Sequence, residues 1–151
     1  MSHHAKARPF TLEALRAYLA EIFPEVWETG DYTIEEVGPM SATLRLLHRP
    51  RHLRPGGTIS GPAMFTLSDL ALFVAILHEL GRVKLAVTTS LTINFLRKPE
   101  PGDLIARVRL LKLGKRLAVG EVAITCEGSD EMVAHATGTY SIPSRGDHDA
   151  P

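Results

Sequence analysis

GPAMFTLSDLALFVAILHELG, residues 61–81, is the stretch on which the fold turns. Inside it, Ala63 to Leu80 is the longest apolar run of the chain, interrupted at Thr66, Ser68, Asp69, His78 and Glu79. A membrane span wants about 20 mostly apolar residues, so the run reads as a buried helix of a soluble protein. Pro62 suits the first helical position, where a missing N–H costs nothing, and Gly81 suits the residue just past the end. A helix apolar nearly all round has to be surrounded, and a single strongly curved antiparallel sheet can do that.

The sequence on either side supplies such a sheet. After the helix, three long segments show period-2 alternation or dense β-branched content: Leu85 to Arg97, Asp103 to Leu113 with Arg116 to Glu127, and Glu131 to Pro143. Turns fall at Pro99 to Gly102, Gly114-Lys115 and Gly128 to Asp130, which predicts a meander of four strands, each the hairpin neighbour of the next. In the last strand Met132, Ala134, Ala136, Gly138 and Tyr140 share one face, and small residues there let a helix lie close. Before the helix, Thr11 can cap a first helix in which Leu12, Leu15, Leu19 and Ile22 recur at helical spacing until Pro24, with Phe10 against Leu15 as a staple. Tyr32 to Val37 and Ser41 to Leu47 read as two short strands broken at Gly38-Pro39, and a loop from His48 to Gly61 feeds the long helix. The expectation is an α+β fold in one domain, residues 10–143, with flexible ends at 1–9 and 144–151.

The 151 residues include 17 Lys+Arg against 17 Asp+Glu, for a formal net charge of +0. That balance removes the electrostatic reason to expect nucleic acid or an anionic membrane as partner. Cys126 is the single cysteine, so no internal disulfide is possible and nothing calls for an oxidising compartment. No apolar stretch of signal-peptide type follows Met1 to Pro9. A cytoplasmic protein is expected.

Asp69 is the chemical anomaly. Leu67, Leu70, Ala71, Leu72 and Phe73 surround it in sequence, and no lysine or arginine occurs on the helix. A buried ionised carboxylate costs several kcal/mol unless it is paired. Either Thr66 or backbone from elsewhere satisfies it, or it is a general base or nucleophile facing a cavity. The helix entry is the second clue. Gly56, Gly57 and Gly61 bring backbone N–H groups close to anything bound there, and a helix N-terminus favours negative charge; turn geometry alone also accounts for glycines. Gly61 and Asp69 lie eight positions, hence roughly 10 to 12 Å, apart along the helix. They cannot touch one carbonyl, so if both act on one substrate the site draws them from two chains of a symmetric homodimer. A third feature is basic: His48, Arg49, Arg51, His52 and Arg54 in the loop, with Arg97-Lys98, Lys112, Lys115 and Arg116 at strand ends, a set that can hold phosphates or simply face solvent. Pro50 between His48 and His52 argues against a helical pair of metal ligands, and no metal is expected.

Taken together, the order of elements, the stretch Gly56-Gly57-Thr58-Ile59-Ser60-Gly61-Pro62 with Asp69 beyond it, Thr92 to Pro99, Pro101-Gly102-Asp103 and Ala134 to Tyr140 resemble the PaaI-like acyl-CoA thioesterases of the hotdog superfamily. The resemblance covers roughly Thr33 to Pro143. It implies a hotdog fold, a long central helix wrapped by a curved sheet, and homodimers that can pair into tetramers. It implies no cofactor apart from coenzyme A carried by the substrate. In that family a His-Gly-Gly stretch opens the helix and an acid nine residues after the His does the chemistry. Here that spacing runs from Ser60 to Asp69. Ser60 stands in place of the His and Pro62 in place of the second Gly, while Gly61, whose counterpart's N–H polarises the thioester carbonyl, is kept. Arg54 falls where some members carry an assisting Asn, and Thr89 matches a hydroxyl that some members use beyond the helix.

The resulting expectation is a thioester hydrolase in which Asp69 activates water or attacks the carbonyl, Gly61 holds the oxyanion, and Thr89 with Thr66 positions water or the acid. Met64, Phe65 and Phe73 line an apolar acyl pocket beside Ser60 and Pro62, and Arg54, Arg97, Lys98, Lys115 and Arg116 hold the nucleotide. A non-catalytic acyl-CoA or aromatic-acid binding protein is the alternative on the same fold. A dehydratase of the related branch ranks third, because His52 lies seventeen positions before Asp69.

Overall fold

A computed structural model describes residues 10–144; the terminal segments 1–9 and 145–151 lie outside the described residues. Helix α1 (Leu12–Ile22) begins at Thr11, whose hydroxyl accepts the Ala14 N–H at 3.1 Å. It buries Leu15, Tyr18 and Leu19. The Phe10 ring closes its entrance against Tyr18, with centroids 5.4 Å apart. Pro24 ends the helix and opens a single further turn, α2 (Pro24–Trp27).

Six strands follow as one antiparallel sheet: β1 (Tyr32–Gly38), β2 (Ser41–Leu46), β3 (Val87–Phe95), β4 (Leu104–Leu113), β5 (Leu117–Cys126) and β6 (Met132–Ser141). Their spatial order is β1-β2-β4-β5-β6-β3. The expected meander holds for β4, β5 and β6 but not for β3, which lies beyond β6 at the far edge. Both edges of β4 are taken, one by β2 (Ala42 opposite Val108) and one by β5 (Val108 opposite Val122), so β3 has no place beside it. It pairs instead with β6, from Thr88 opposite Tyr140 to Phe95 opposite Ala134.

Helix α3 (Gly61–Leu80) packs on this sheet, chiefly against β2, β4 and β5. Ser60 caps it by accepting the Ala63 N–H at 3.3 Å, and Gly81, at φ 86°, donates its N–H to the Leu77 carbonyl to end it. Gly61 and not Pro62 is the first helical residue. By length and composition α3 could cross a membrane, but 72% of that span is buried within the protein. Leu67, Leu72, Val74, Ile76 and Leu77 are fully enclosed, each contributing about 1.5–3 kcal/mol of transfer free energy.

The helix sits unusually close to the sheet at one place. Gly120 on β5 and Gly138 on β6 are directly paired. A Cβ on either would stand 2.6 Å from a methyl of Leu72. The small face of β6 therefore does receive the helix, with one change at its start. A register shift beside Ile124 and Thr125 turns Met132 outward, 41% exposed, and buries Val133 in its stead.

Candidate active site

Asp69 is half-buried on α3, and its carboxylate is held by two hydroxyls from the neighbouring strands. Thr88 Oγ1 donates to Oδ1 at 2.6 Å. Tyr140 Oη donates to the same Oδ1 at 2.7 Å and lies 3.0 Å from the Asp69 carbonyl. Neither Thr66 nor Thr89 is the partner. Thr66 is exposed on the helix, and the Thr89 hydroxyl donates to the Thr139 carbonyl at 3.2 Å. The β3–β6 register slips between Thr88 and Ser90; the extra residue, Thr89, is turned away and Thr88 is aimed at the helix. Burial, and after it the Asp69 carboxylate, push the Tyr140 phenol far above its ordinary range. Its ring stacks on Phe73, centroids 6.2 Å apart and planes 18° from parallel.

The carboxylate opens onto a cavity of about 490 Å³, lined largely by Ile22, Phe23, Leu70, Phe73, Leu85 and Val87, with Lys84 at its edge. Two of these walls, Ile22 and Phe23, come from the end of α1, where Pro24 halts the helix. Of the residues expected in the acyl pocket, Phe73 is here. Met64 is buried and borders a second depression, and Phe65, 41% exposed, lines neither.

That second depression, of about 410 Å³, lies at the entrance to α3 and contains Gly61 with Thr58, Phe95, Arg54, Arg97 and Lys98. As the first helical residue, Gly61 has an N–H without an intrahelical acceptor. A Cβ on it would stand 3.2 Å from Cζ of Phe95. Ser60 is engaged in capping, and its N–H bonds the His52 carbonyl at 2.8 Å. Pro62 is exposed. The Gly61 and Asp69 depressions share no lining residue. One is bordered by residues at the end of β3, the other by residues at its start.

The basic residues divide. Arg54, Arg97 and Lys98 border the Gly61 depression, where Arg97 also reaches Glu131 at 2.5 Å. Lys115 and Arg116 are exposed in the β4–β5 turn, outside both depressions, and the Arg116 carbonyl accepts the Ile142 N–H close to the start of β3. In one chain the two pairs therefore sit toward opposite ends of the β3–β6 ladder. Arg51 and His52 are spoken for by Asp31, which is 2% exposed and bonded by Arg51 Nε at 2.6 Å and His52 Nε2 at 2.8 Å. The hydrogen bond from Arg51 lowers the Asp31 carboxyl below its ordinary value, with His52 acting in the same direction. His48 braces the loop through the Gly57 carbonyl at 3.0 Å.

Sequence reasoning missed Thr88, Tyr140, Ile22 and Phe23. A signal existed for Tyr140, the one polar side chain on an otherwise small, helix-facing row.

Comparison with known proteins gives a consistent picture. A model of the Thioesterase superfamily matches residues 56–133. A structure from Silicibacter sp. TM1040, named as a thioesterase, is 46% identical, with TM-score 0.80, covering 89% of this chain and 92% of that one. The phenylacetic acid degradation protein PaaI of Thermus thermophilus is 28% identical, with TM-score 0.65, over 76% of this chain and 95% of its own. A thioesterase-named protein of Streptococcus pneumoniae TIGR4, solved with coenzyme A, is 21% identical, with TM-score 0.69, covering 89% of this chain and 98% of that one. An esterase-named protein of Saccharolobus solfataricus is 34% identical over 89 residues, which are 59% of this chain and 58% of that protein's length.

Proposed function

The chain belongs to the thioesterase superfamily, as a PaaI-like member with the hotdog fold, and we propose that it hydrolyses a small aromatic or aliphatic acyl-CoA to the free acid and coenzyme A. The carrying observation is a carboxylate clamped by two hydroxyls against an apolar cavity of about 490 Å³. That is a volume typical of small-molecule sites. In this reading Asp69 takes a proton from a water that attacks the thioester carbonyl, or attacks it directly, and the Gly61 N–H stabilises the oxyanion. The C–S bond then breaks and the thiolate leaves with a proton; where Asp69 is itself the nucleophile this leaves a mixed anhydride, which water cleaves to release the acid and return the carboxylate. A donor of this kind is worth about 2.7–4 kcal/mol in the transition state.

Asp69 and Gly61 meet only across two chains. β3 is an edge strand, and Val87 and Phe95 at its two ends are 55% and 52% exposed. An open edge with apolar ends invites pairing with another strand. Antiparallel pairing of β3 with the same strand of a second copy would set the Gly61 depression of one beside the Asp69 cavity of the other. It would also bring Arg97 and Lys98 toward the partner's Lys115 and Arg116, a basic surface suited to the nucleotide of coenzyme A. The coenzyme A in the Streptococcus pneumoniae structure supports that substrate class.

The test is release of free thiol over a panel of aromatic and aliphatic acyl-CoAs. Asp69→Asn should lower kcat by about 10²-fold or more with the fold intact. Wild-type turnover in that variant removes Asp69 from the mechanism, and binding of acyl-CoA without turnover by the wild type identifies a carrier.

A further inference from the structure

We propose that Tyr140 is a positioning residue that, with Thr88, fixes Oδ1 of Asp69 and so reserves Oδ2 as the oxygen that meets the reacting group. This rests on the reading of Asp69 as base or nucleophile and adds a division of labour between its two oxygens. Thr88 Oγ1 and Tyr140 Oη lie 2.6 and 2.7 Å from the same atom, Oδ1. Each hydroxyl brings one proton, and a carboxylate oxygen accepts about two hydrogen bonds. Oδ1 is therefore saturated, and among the described residues no hydrogen bond reaches Oδ2. A carboxylate tied at one oxygen cannot spin about its Cβ–Cγ bond, which holds the other in a fixed direction.

The clamp is itself rigidly supported. Thr88 and Tyr140 are cross-strand partners, so the pairing of β3 with β6 presents both hydroxyls to the helix together. Stacking on Phe73 fixes the tyrosine ring. Burial and the adjacent carboxylate keep the phenol protonated, and it serves as a donor throughout the neutral range. Its single proton goes to Oδ1 rather than to the Asp69 carbonyl, since the anionic acceptor is the nearer and the stronger.

Tyr140→Phe keeps the ring and its stacking and removes only the hydroxyl. A hydrogen bond to a charged group lost from a site of this kind should lower kcat about tenfold while KM stays within about twofold. Adding Thr88→Val should bring turnover close to that of Asp69→Asn. Asp69→Asn runs in parallel. If it is inactive while Tyr140→Phe keeps wild-type kcat, the positioning role is overturned and the reading of Asp69 stands. If Asp69→Asn is itself active, both fall. A raised KM with unchanged kcat also overturns the proposal, by assigning Tyr140 to binding. A purely structural tyrosine would lower the melting temperature and leave kcat intact at temperatures well below it. Should Tyr140→Phe not fold, Thr88→Val on the exposed edge strand carries the test: unchanged kcat there overturns Oδ1 as the anchored oxygen.

Discussion

Adding one methyl group at Gly138 should loosen the protein and slow it at once. Its Cβ would stand 2.6 Å from Cδ1 of Leu72, 2.8 Å from Cδ1 of Leu91 and 3.3 Å from the Ser90 carbonyl. Leu72 has little room to turn aside, because its other methyl, Cδ2, already lies against Gly120, 2.6 Å from where a Cβ there would be. The leucine is gripped between two paired glycines, so the new methyl forces it off its rotamer and pushes the helix away from the sheet. Overpacking of this kind costs about 1–3 kcal/mol. For a chain of this size that is a fall in Tm of about 2–12 °C. Asp69 is three residues before Leu72 on α3, and Tyr140 two residues after Gly138 on β6. Any lift of the helix therefore lengthens the hydrogen bond from Tyr140 to Asp69, and kcat should drop in step. Urea denaturation of Gly138→Ala, Leu72→Ala and the double variant decides the matter. Leu72→Ala alone should cost about 2–5 kcal/mol, and in that background the new methyl should cost clearly less, since the contact with Leu72 is gone and the one with Cδ1 of Leu91 remains. A Gly138→Ala cost that is the same in both backgrounds would refute the grip on Leu72.

Three further outcomes are expected. Mixing Asp69→Asn chains with Gly61→Val chains, each nearly inactive alone, should restore activity to about a quarter of wild type after subunit exchange, because half the dimers are mixed and each has one intact site; exchange seen by mass spectrometry without recovered activity would rule out a site shared between chains. Asp31→Asn should lower the melting temperature by several degrees at neutral pH; because the carboxyl titrates lower in the folded chain than its ordinary 3.8, its contribution is complete above about pH 4 and disappears as pH falls through the folded value, so the variant and wild type should converge in acid. Replacing Arg97 and Lys98 together, or Lys115 and Arg116 together, by glutamine should raise KM for CoA esters more at low salt than at high, and spare short pantetheine thioesters; equal losses on both substrates would remove these residues from nucleotide binding.

Much of this was legible in the sequence. The long helix could be read because its ends are marked chemically, by Ser60-Gly61-Pro62 and by Gly81, and Asp69 stood out because it is the carboxylate in the middle of the apolar run, whereas Glu79 lies at its end. The separation of Gly61 from Asp69 followed from helical rise alone, and the structure keeps them in different depressions. Strand partnership was less accessible. β3 and β4 are sequence neighbours joined by a Pro-Gly turn, but which edge is free depends on β2, sixty residues earlier in the chain. The choice between Thr88 and Thr89 turned on one register slip, which side-chain alternation cannot reveal because both neighbours are threonines. Phe65 shares the helix with Asp69 but points to neither cavity, since hydropathy does not distinguish the side of a helix that is apolar nearly all round. The basic loop looked uniform as a string of charges, yet Asp31, twenty residues before, claims Arg51 and His52.

The placement of β3 beyond β6 also sets a timetable for synthesis. Phe95 waits 39 residues for Ala134, and Thr88 waits 52 for Tyr140. At the usual 5–20 residues per second, β3 emerges about 2 to 10 seconds before its ladder can form. During that interval the nascent chain carries a strand with neither edge paired. Thr88, Thr89, Ser90, Thr92 and Asn94 make it polar enough to remain hydrated while β4, β5 and β6 assemble. A more apolar β3 would, on the ribosome, expose every newly made copy to its neighbours on the same message.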